Sequence, residues 1–160
     1  MSRFSSLCLA AILAIALVAS TVQAEEITNE YFTLNVPEGW TKTVAPVQNG
    51  AVTVLLQNKA LSLSISVTPD PIPARKLAEQ TAKNMKFSGI RSGEPVQQGD
   101  SCTIAFEQKR KKISGMSYFT SNGSQGSIIT IMAPVDTDGF ARARAFLQEN
   151  LKPADARHSP

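Results

Sequence analysis

The side chains that most often perform catalysis or bind metals are scarce in this chain of 160 residues. His158 is the single histidine and lies in a polar segment at the C-terminal end. Catalytic and metal-bound histidines need a partner group that orients the ring, and a frayed terminus does not supply one. We therefore predict neither Ser-His or Cys-His catalysis nor a zinc site with nitrogen and sulfur ligands.

Cys102 is the only cysteine outside the first two dozen residues. It alternates in phase with Ile104 and Phe106, which predicts that its thiol is buried as a small hydrophobic group. A reactive or dimer-forming thiol is the alternative.

Carboxylates are the remaining groups with catalytic potential. Glu107 and the pair Asp136 and Asp138 are the candidates for a small hydrolase that uses carboxylates only. The two aspartates also resemble the beginning of a calcium loop, but the glutamate that ends such a loop is missing. Capping of a following helix by either aspartate or by Thr137 accounts for this segment better. We predict no catalytic residue, no cofactor and no metal site.

The run Lys109, Arg110, Lys111 and Lys112 is the one feature that folding does not require. Four consecutive cations at a reversal between two strands repel one another unless water separates them. A solvated hairpin tip that hinders edge-to-edge aggregation accounts for the run. Contact with an anionic surface, such as lipid headgroups, cell-wall polymer or an acidic partner, is the functional alternative.

Residues 1–24 have the pattern of an export signal. Arg3 precedes an apolar run from Leu7 to Ala19, and Ala24 ends a segment with small residues where signal peptidase cleaves. The apolar run is shorter than the roughly 20 residues that span a bilayer. We predict cleavage after Ala24, a periplasmic or secreted location and no transmembrane anchor in the mature protein. Cys8 lies too early in the run to carry a lipid.

The net charge gives no reason to expect a nucleic-acid partner. It is +3 for the whole sequence, and it falls to about +2 when Arg3 is removed with the signal.

Alternation of apolar and polar side chains predicts that most of the mature chain forms strands. Leu61–Thr68 is the clearest case, because four apolar residues alternate with serine and threonine. The apolar run Ile128–Met132 predicts a central strand covered on both faces. Apolar stripes predict helices over Pro73–Phe87 and 136–151. This order indicates an α+β fold, with an antiparallel sheet of about six to seven strands and two packed helices.

The segment Phe32–Trp40 reads FTLNVPEGW, a strand followed by a turn and a tryptophan. Together with the hairpins and the two helices, it resembles the PsbP-like superfamily, which includes DcrB-like bacterial proteins and the Ran-binding Mog proteins. The resemblance covers nearly all of Ile27–Lys152 and implies an α/β/α sandwich. It implies no catalytic residue, because members serve as assembly factors, adaptors and binding proteins.

The expected organisation is a cleaved signal peptide at 1–24, a single domain at 25–153 and a disordered tail at 154–160. Trp40 is expected to anchor the core beneath the first turn, with a place in a pocket lining as the alternative. We expect a non-enzymatic binding or assembly-accessory domain for an unknown protein or envelope component. The carboxylate-only hydrolase is the alternative function.

Overall fold

The computed structural model describes residues 25–159, so the predicted signal peptide lies outside it. Short 3₁₀ turns occur at Lys109–Lys111 and Ala156–His158. The helices are α1 (Ala74–Phe87) and α2 (Gly139–Asn150). The strands are β1 (Glu25–Thr28), β2 (Phe32–Val36), β3 (Thr41–Val44), β4 (Val52–Asn58), β5 (Leu61–Thr68), β6 (Arg91–Ser92), β7 (Val96–Gln98), β8 (Ser101–Gln108), β9 (Ile113–Ser121), β10 (Gly126–Pro134) and β11 (Leu151–Pro153).

These strands form two antiparallel sheets. The large sheet has the order β3-β4-β5-β10-β9-β8-β6, and β7 also pairs with β8. The small sheet has the order β1-β2-β11 and joins the first strands to the end of the chain. The predicted α+β fold is confirmed, but the large sheet has eight strands. The additional strands are β6 and β7, which have two and three residues and are too short to produce an alternating pattern.

β10 lies in the middle of the large sheet and separates two hydrophobic cores. Neighbouring residues of a strand point to opposite faces. Ile129 accordingly belongs to the larger core, whereas Ile128 packs against the smaller one. Ile129 is placed between Ile65 of β5 and Tyr118 of β9. The predicted central strand, covered on both faces, is therefore confirmed.

α2 and the small sheet cover the larger core. The predicted alternation of β5 is confirmed, because its four apolar residues are buried and its four hydroxyl residues are partly exposed. α2 adds Ala143, Phe146 and Leu147 to this core. Burial of such side chains supplies most of the free energy that holds the layers together.

α1 covers the opposite face of the sheet, over β8 and β9. Leu77 and Ala78 of the helix pack with Cys102, Ile104 and Phe119 of the strands. α1 contacts β6, β8, β9 and β10, whereas α2 contacts β2, β5, β10 and β11. The two helices therefore cover different halves of the sheet as well as different faces.

Thr137 supports the first turn of α2. The Gly139 N–H donates to the Thr137 hydroxyl oxygen at 3.3 Å. Asp138 occupies the N-cap position without a capping hydrogen bond from its side chain, and it pairs with Arg142 at 3.7 Å. Asp136 is exposed and has a φ of 64°. The turn before the helix is thus arranged by one hydroxyl group, and both aspartates remain at the surface.

The C-terminal segment 154–159 packs on the domain, in contrast to the disordered tail that its composition predicts. The Ala154 N–H donates to the Tyr31 carbonyl at 2.8 Å. The Asp155 carboxylate accepts a hydrogen bond of 2.8 Å from the Asn122 side chain. The physical reason is the preceding strand β11, which pairs with β2 and directs the segment onto the sheet.

His158 is buried at the end of this segment, with 4% of its surface exposed. Its Nδ1 is hydrogen-bonded to Thr120 Oγ1 at 2.7 Å, and Thr120 is hydrogen-bonded in turn to Ser127 at 2.7 Å. Its Nε2 is also buried and has no partner within the described residues. The sequence-based prediction placed this ring at a frayed end. The residues that bury it are distant in sequence, so no local pattern indicated its burial.

Trp40 connects the turn after β2 to α2. Its ring packs on Phe146 with 4.4 Å between the centroids and 31° between the planes. It is partly buried and packs against the larger core. Aromatic pairs of this kind stabilise a fold beyond the area that they bury.

We expect Trp40→Ala to lower the free energy of unfolding by about 3 kcal/mol, because it removes a large aromatic group from the core boundary. Chemical denaturation of both proteins measures the change. Phe87→Ala is the matched control, since Phe87 is 90% exposed and should change stability by no more than about 0.5 kcal/mol. Equal effects of the two substitutions would show that Trp40 does not anchor the core.

We expect the stability of the domain to fall as the pH drops below the ordinary histidine pKa of 6.5. Burial lowers the pKa of His158, with a smaller contribution from Arg157, while Asp155 opposes the shift. Above that pH the ring is neutral in both states; below it, the unfolded chain binds a proton that the folded protein resists. Denaturation between about pH 7.5 and 5 should show the loss in the wild type and a flatter profile in His158→Gln. The same slope in both proteins would contradict the assignment.

Candidate anion-binding site

The basic hairpin, defined as Lys109–Lys112, connects β8 and β9. Its first three residues form the 3₁₀ turn, and Lys112 reverses the chain with a φ of 51°. The Lys112 N–H donates to the Lys109 carbonyl at 3.2 Å, and its own carbonyl accepts from the Val135 N–H at 2.9 Å. All four side chains are exposed. Backbone hydrogen bonds therefore hold four positive charges at a defined position outside the sheet.

The end of α1 brings a further cation to this hairpin. The Gly89 and Ile90 N–H groups donate to carbonyls of the last helical turn at 3.1 and 2.8 Å. This Schellman arrangement requires a left-handed residue, and Gly89 has a φ of 71°. The chain then enters β6, where the backbone register places Arg91 opposite Glu107 of β8, without an ion pair between the side chains.

Three open clefts, called the basic clefts below, share Arg91 in their linings. The first lies between the end of α1 and the basic hairpin and is lined by 88–91 and 107–111. The second is lined by parts of β6, β8 and β9 and by Phe140 of α2. The third is lined by the last turns of α1 and residues 90–94. Their volumes are about 660, 660 and 410 Å³.

Cations outnumber carboxylates in the linings of the basic clefts. The lining cations are Lys83, Lys86, Arg91, Lys109, Arg110 and Lys111, and the lining carboxylates are Glu94 and Glu107. Within residues 25–159, the ion pairs are made by other cations, namely Lys42, Arg75, Arg142 and Arg157. A concave surface with unpaired positive charges raises the local concentration of anions.

The candidate carboxylates do not come together at these clefts. Glu107 is the only carboxylate that lines the first and second clefts. Asp136 and Asp138 are exposed on the turn before α2 and line none of the three. Hydrolysis by carboxylates alone normally uses two acids that face each other across the substrate. The geometry does not favour the hydrolase.

Cys102 is fully buried beneath α1, as its sequence pattern predicts. Burial raises the pKa of its thiol above the usual value. The nucleophilic form of cysteine is the thiolate, so a buried and protonated Cys102 acts as a packing residue.

Ser127, Thr120 and His158 form a hydrogen-bonded series that sequence reasoning missed. Two hydroxyl groups joined to an imidazole superficially resemble a nucleophile with its base. However, the exposed fractions are only 2%, 6% and 4%, respectively. A substrate cannot reach these groups in the folded protein, and their evident effect is to attach the C-terminal segment to β9 and β10.

The cavity beside His158 is too small for a ligand. It has a volume of about 10 Å³, which corresponds to a single water position. Apolar residues such as Phe32, Ile65 and Ile129 form most of its wall. Trp40 lines neither this cavity nor the basic clefts, and its contacts are with the larger core.

Residues 25–159 contain neither a cluster of metal-ligating side chains nor a helix that could span a membrane. In this range, no three histidine, cysteine, aspartate or glutamate residues are close enough to hold a metal ion. No helix in the same range has the length and apolar character needed to cross a membrane.

No family model matches the sequence, and no curated protein matches it significantly. Among solved structures, it is similar to the solution structure of cyanobacterial PsbP (CyanoP) from Synechocystis sp. PCC 6803. The identity is 10%, the match covers 88% of this chain and 98% of that chain, and the TM-score is 0.53. A crystal structure from Bacteroides thetaiotaomicron VPI-5482 matches 84% of this chain and 50% of its own, with 14% identity and a TM-score of 0.49.

An identity of 10% to CyanoP makes this a likeness of fold and not of activity. The structural match extends over almost the whole of the cyanobacterial protein, and it agrees with the resemblance carried by Phe32–Trp40. This chain has a PsbP-like fold.

Proposed function

We propose that the protein is an exported, non-enzymatic accessory domain that binds an anionic component of the cell envelope. The binding surface consists of the basic hairpin and the basic clefts. The observation that carries the proposal is the convergence of cations from α1, β6 and the basic hairpin around open clefts, without ion-pair partners in the described part of the chain. Like charges that converge in this way repel one another, and the sheet does not require them.

The proposal of export rests on the sequence of residues 1–24, with Arg3 before a short apolar run and small residues up to Ala24. The mature domain would then begin at Glu25 and work in the periplasm or outside the cell. Negatively charged lipids and polymers at such a boundary would attract each nearby lysine or arginine by about 1 kcal/mol.

The proposed function includes no catalysis because of the positions of the potentially reactive side chains. Cys102 and His158 are buried, and Glu107 is the only carboxylate in the first two basic clefts. Binding through charge needs no orienting partner and no proton transfer. An accessory domain with an electropositive cleft is therefore the function that these residues support best.

We expect replacement of Lys109, Arg110, Lys111 and Lys112 by glutamine to weaken binding to anionic vesicles or cell-wall fragments by at least about tenfold. Sedimentation in about 50 mM salt measures binding, since the screening length there is roughly 14 Å. Raising the salt to about 0.5 M should release the wild-type protein in the same way.

The matched control replaces Lys59, Lys76, Arg144 and Lys152 by glutamine. These four residues are exposed, make no ion pair within the described residues and line none of the basic clefts. The net charge is therefore the same in the two variants. Retention of the control and loss of the hairpin variant is the expected result. Equal weakening of both variants would show that only net charge matters, and full retention by both would show that the hairpin cations do not bind. Either result would remove the proposed site.

A further inference from the structure

Phe87 is the most exposed large apolar side chain among residues 25–159, with 90% of its surface accessible. It is the last residue of α1 and lies directly between Lys86 and Ser88, which line the third and first basic clefts. Single exposed apolar side chains are common on proteins. Phe87 differs from such isolated side chains because it lies beside cations that make no ion pair within residues 25–159.

On the basis of the proposed function, we infer that the anionic component is the surface of a lipid bilayer. The Phe87 ring enters the headgroup region, and the basic hairpin and the lining cations contact the lipid phosphates. The inference assigns a membrane-docking surface to the end of α1 and the hairpin.

The placement of the groups fits a single contact surface. The first basic cleft has the residues after Phe87 on one side and the basic hairpin on the other. Lys83 precedes Phe87 by one helical turn and therefore lies on the same face of α1. Val135 is 42% exposed and is hydrogen-bonded to Lys112 of the hairpin. A second exposed apolar residue is thus held next to the basic hairpin by a backbone hydrogen bond.

A bilayer accounts for this combination better than a soluble polyanion does. Phosphate groups of a polymer would attract the cations but would leave Phe87 in water. At a bilayer, aromatic rings lie at the headgroup level while lysine and arginine contact anionic lipids. One apolar group or one basic patch binds weakly, and stable attachment results when two such signals act together.

The test uses the chain from Glu25 onward, because the apolar run of residues 1–24 would itself bind lipid. Vesicles of phosphatidylcholine with about one-third phosphatidylglycerol provide the anionic surface. Phe87→Ser should weaken binding to them about tenfold, since a buried aromatic group would be lost from the contact. Binding to soluble polyphosphate, the second probe, should not change in this variant.

Val47→Ser is the matched control for removal of an exposed apolar side chain. Val47 is 65% exposed and lies between β3 and β4, at the edge of the large sheet opposite to β6. Its replacement should leave binding to vesicles and to polyphosphate unchanged. Equal weakening by Phe87→Ser and Val47→Ser would overturn the assignment.

Fluorescence supplies an independent readout. The sequence has one tryptophan, so Trp40→Phe combined with Phe87→Trp leaves a single reporter at the proposed contact. Its emission should shift to shorter wavelength with anionic vesicles and stay constant with polyphosphate. Unchanged emission and unchanged vesicle binding of Phe87→Ser would overturn the membrane assignment. If the hairpin variant still lost its binding to polyphosphate, the proposed function would stand with a soluble polyanion as ligand.

Discussion

The fold depends on one strand, β10, which carries apolar side chains on both faces at the centre of the large sheet. Ile129 and Ile131 enter the larger core, while Ile128 packs against the smaller one on the reverse side. α2 and the small sheet can therefore cover one face while α1 covers the other, and both helices contact β10. The two helices are offset from each other across the sheet. The outer strands beneath α1 therefore have a helix on one face only. Ala105 and Met116 lie on the face away from α1, and the second basic cleft opens there.

The same offset separates the packed scaffold from the proposed binding surface. The buried groups that resemble chemistry, Cys102 and His158, belong to the packed interior and to the attachment of the C-terminal segment. The positive charge collects instead at the edge formed by β6, β8 and the basic hairpin. Phe87 is located at that edge because the Schellman turn at Gly89 ends α1 directly beside it. The proposed binding at this edge would leave both hydrophobic cores undisturbed.

Local sequence patterns predicted the elements whose periodicity is long and clear. The predicted bounds Leu61–Thr68 agree with β5, and the predicted helix Pro73–Phe87 agrees with α1 to within one residue. The pairing of β11 with β2 and the burial of His158 depend on residues far apart in sequence, so no local pattern reports them. The basic hairpin was visible as a run of four cations. Its position beside Arg91 required the folded chain, as did the neighbouring cleft that Arg91 shares with Lys83 and Lys86 of α1.

The most direct test of the account is residue-by-residue mapping of the contact in solution. Amide NMR spectra of the chain from Glu25 onward, recorded with and without anionic phospholipid nanodiscs, report which backbone sites sense the lipid. The account predicts changes concentrated in residues 83–91 and 107–112, with β3, β4 and the C-terminal segment 154–159 unaffected. Changes concentrated at β3 and β4, or spread evenly over the domain, would contradict the claim that the basic edge with Phe87 is the binding surface.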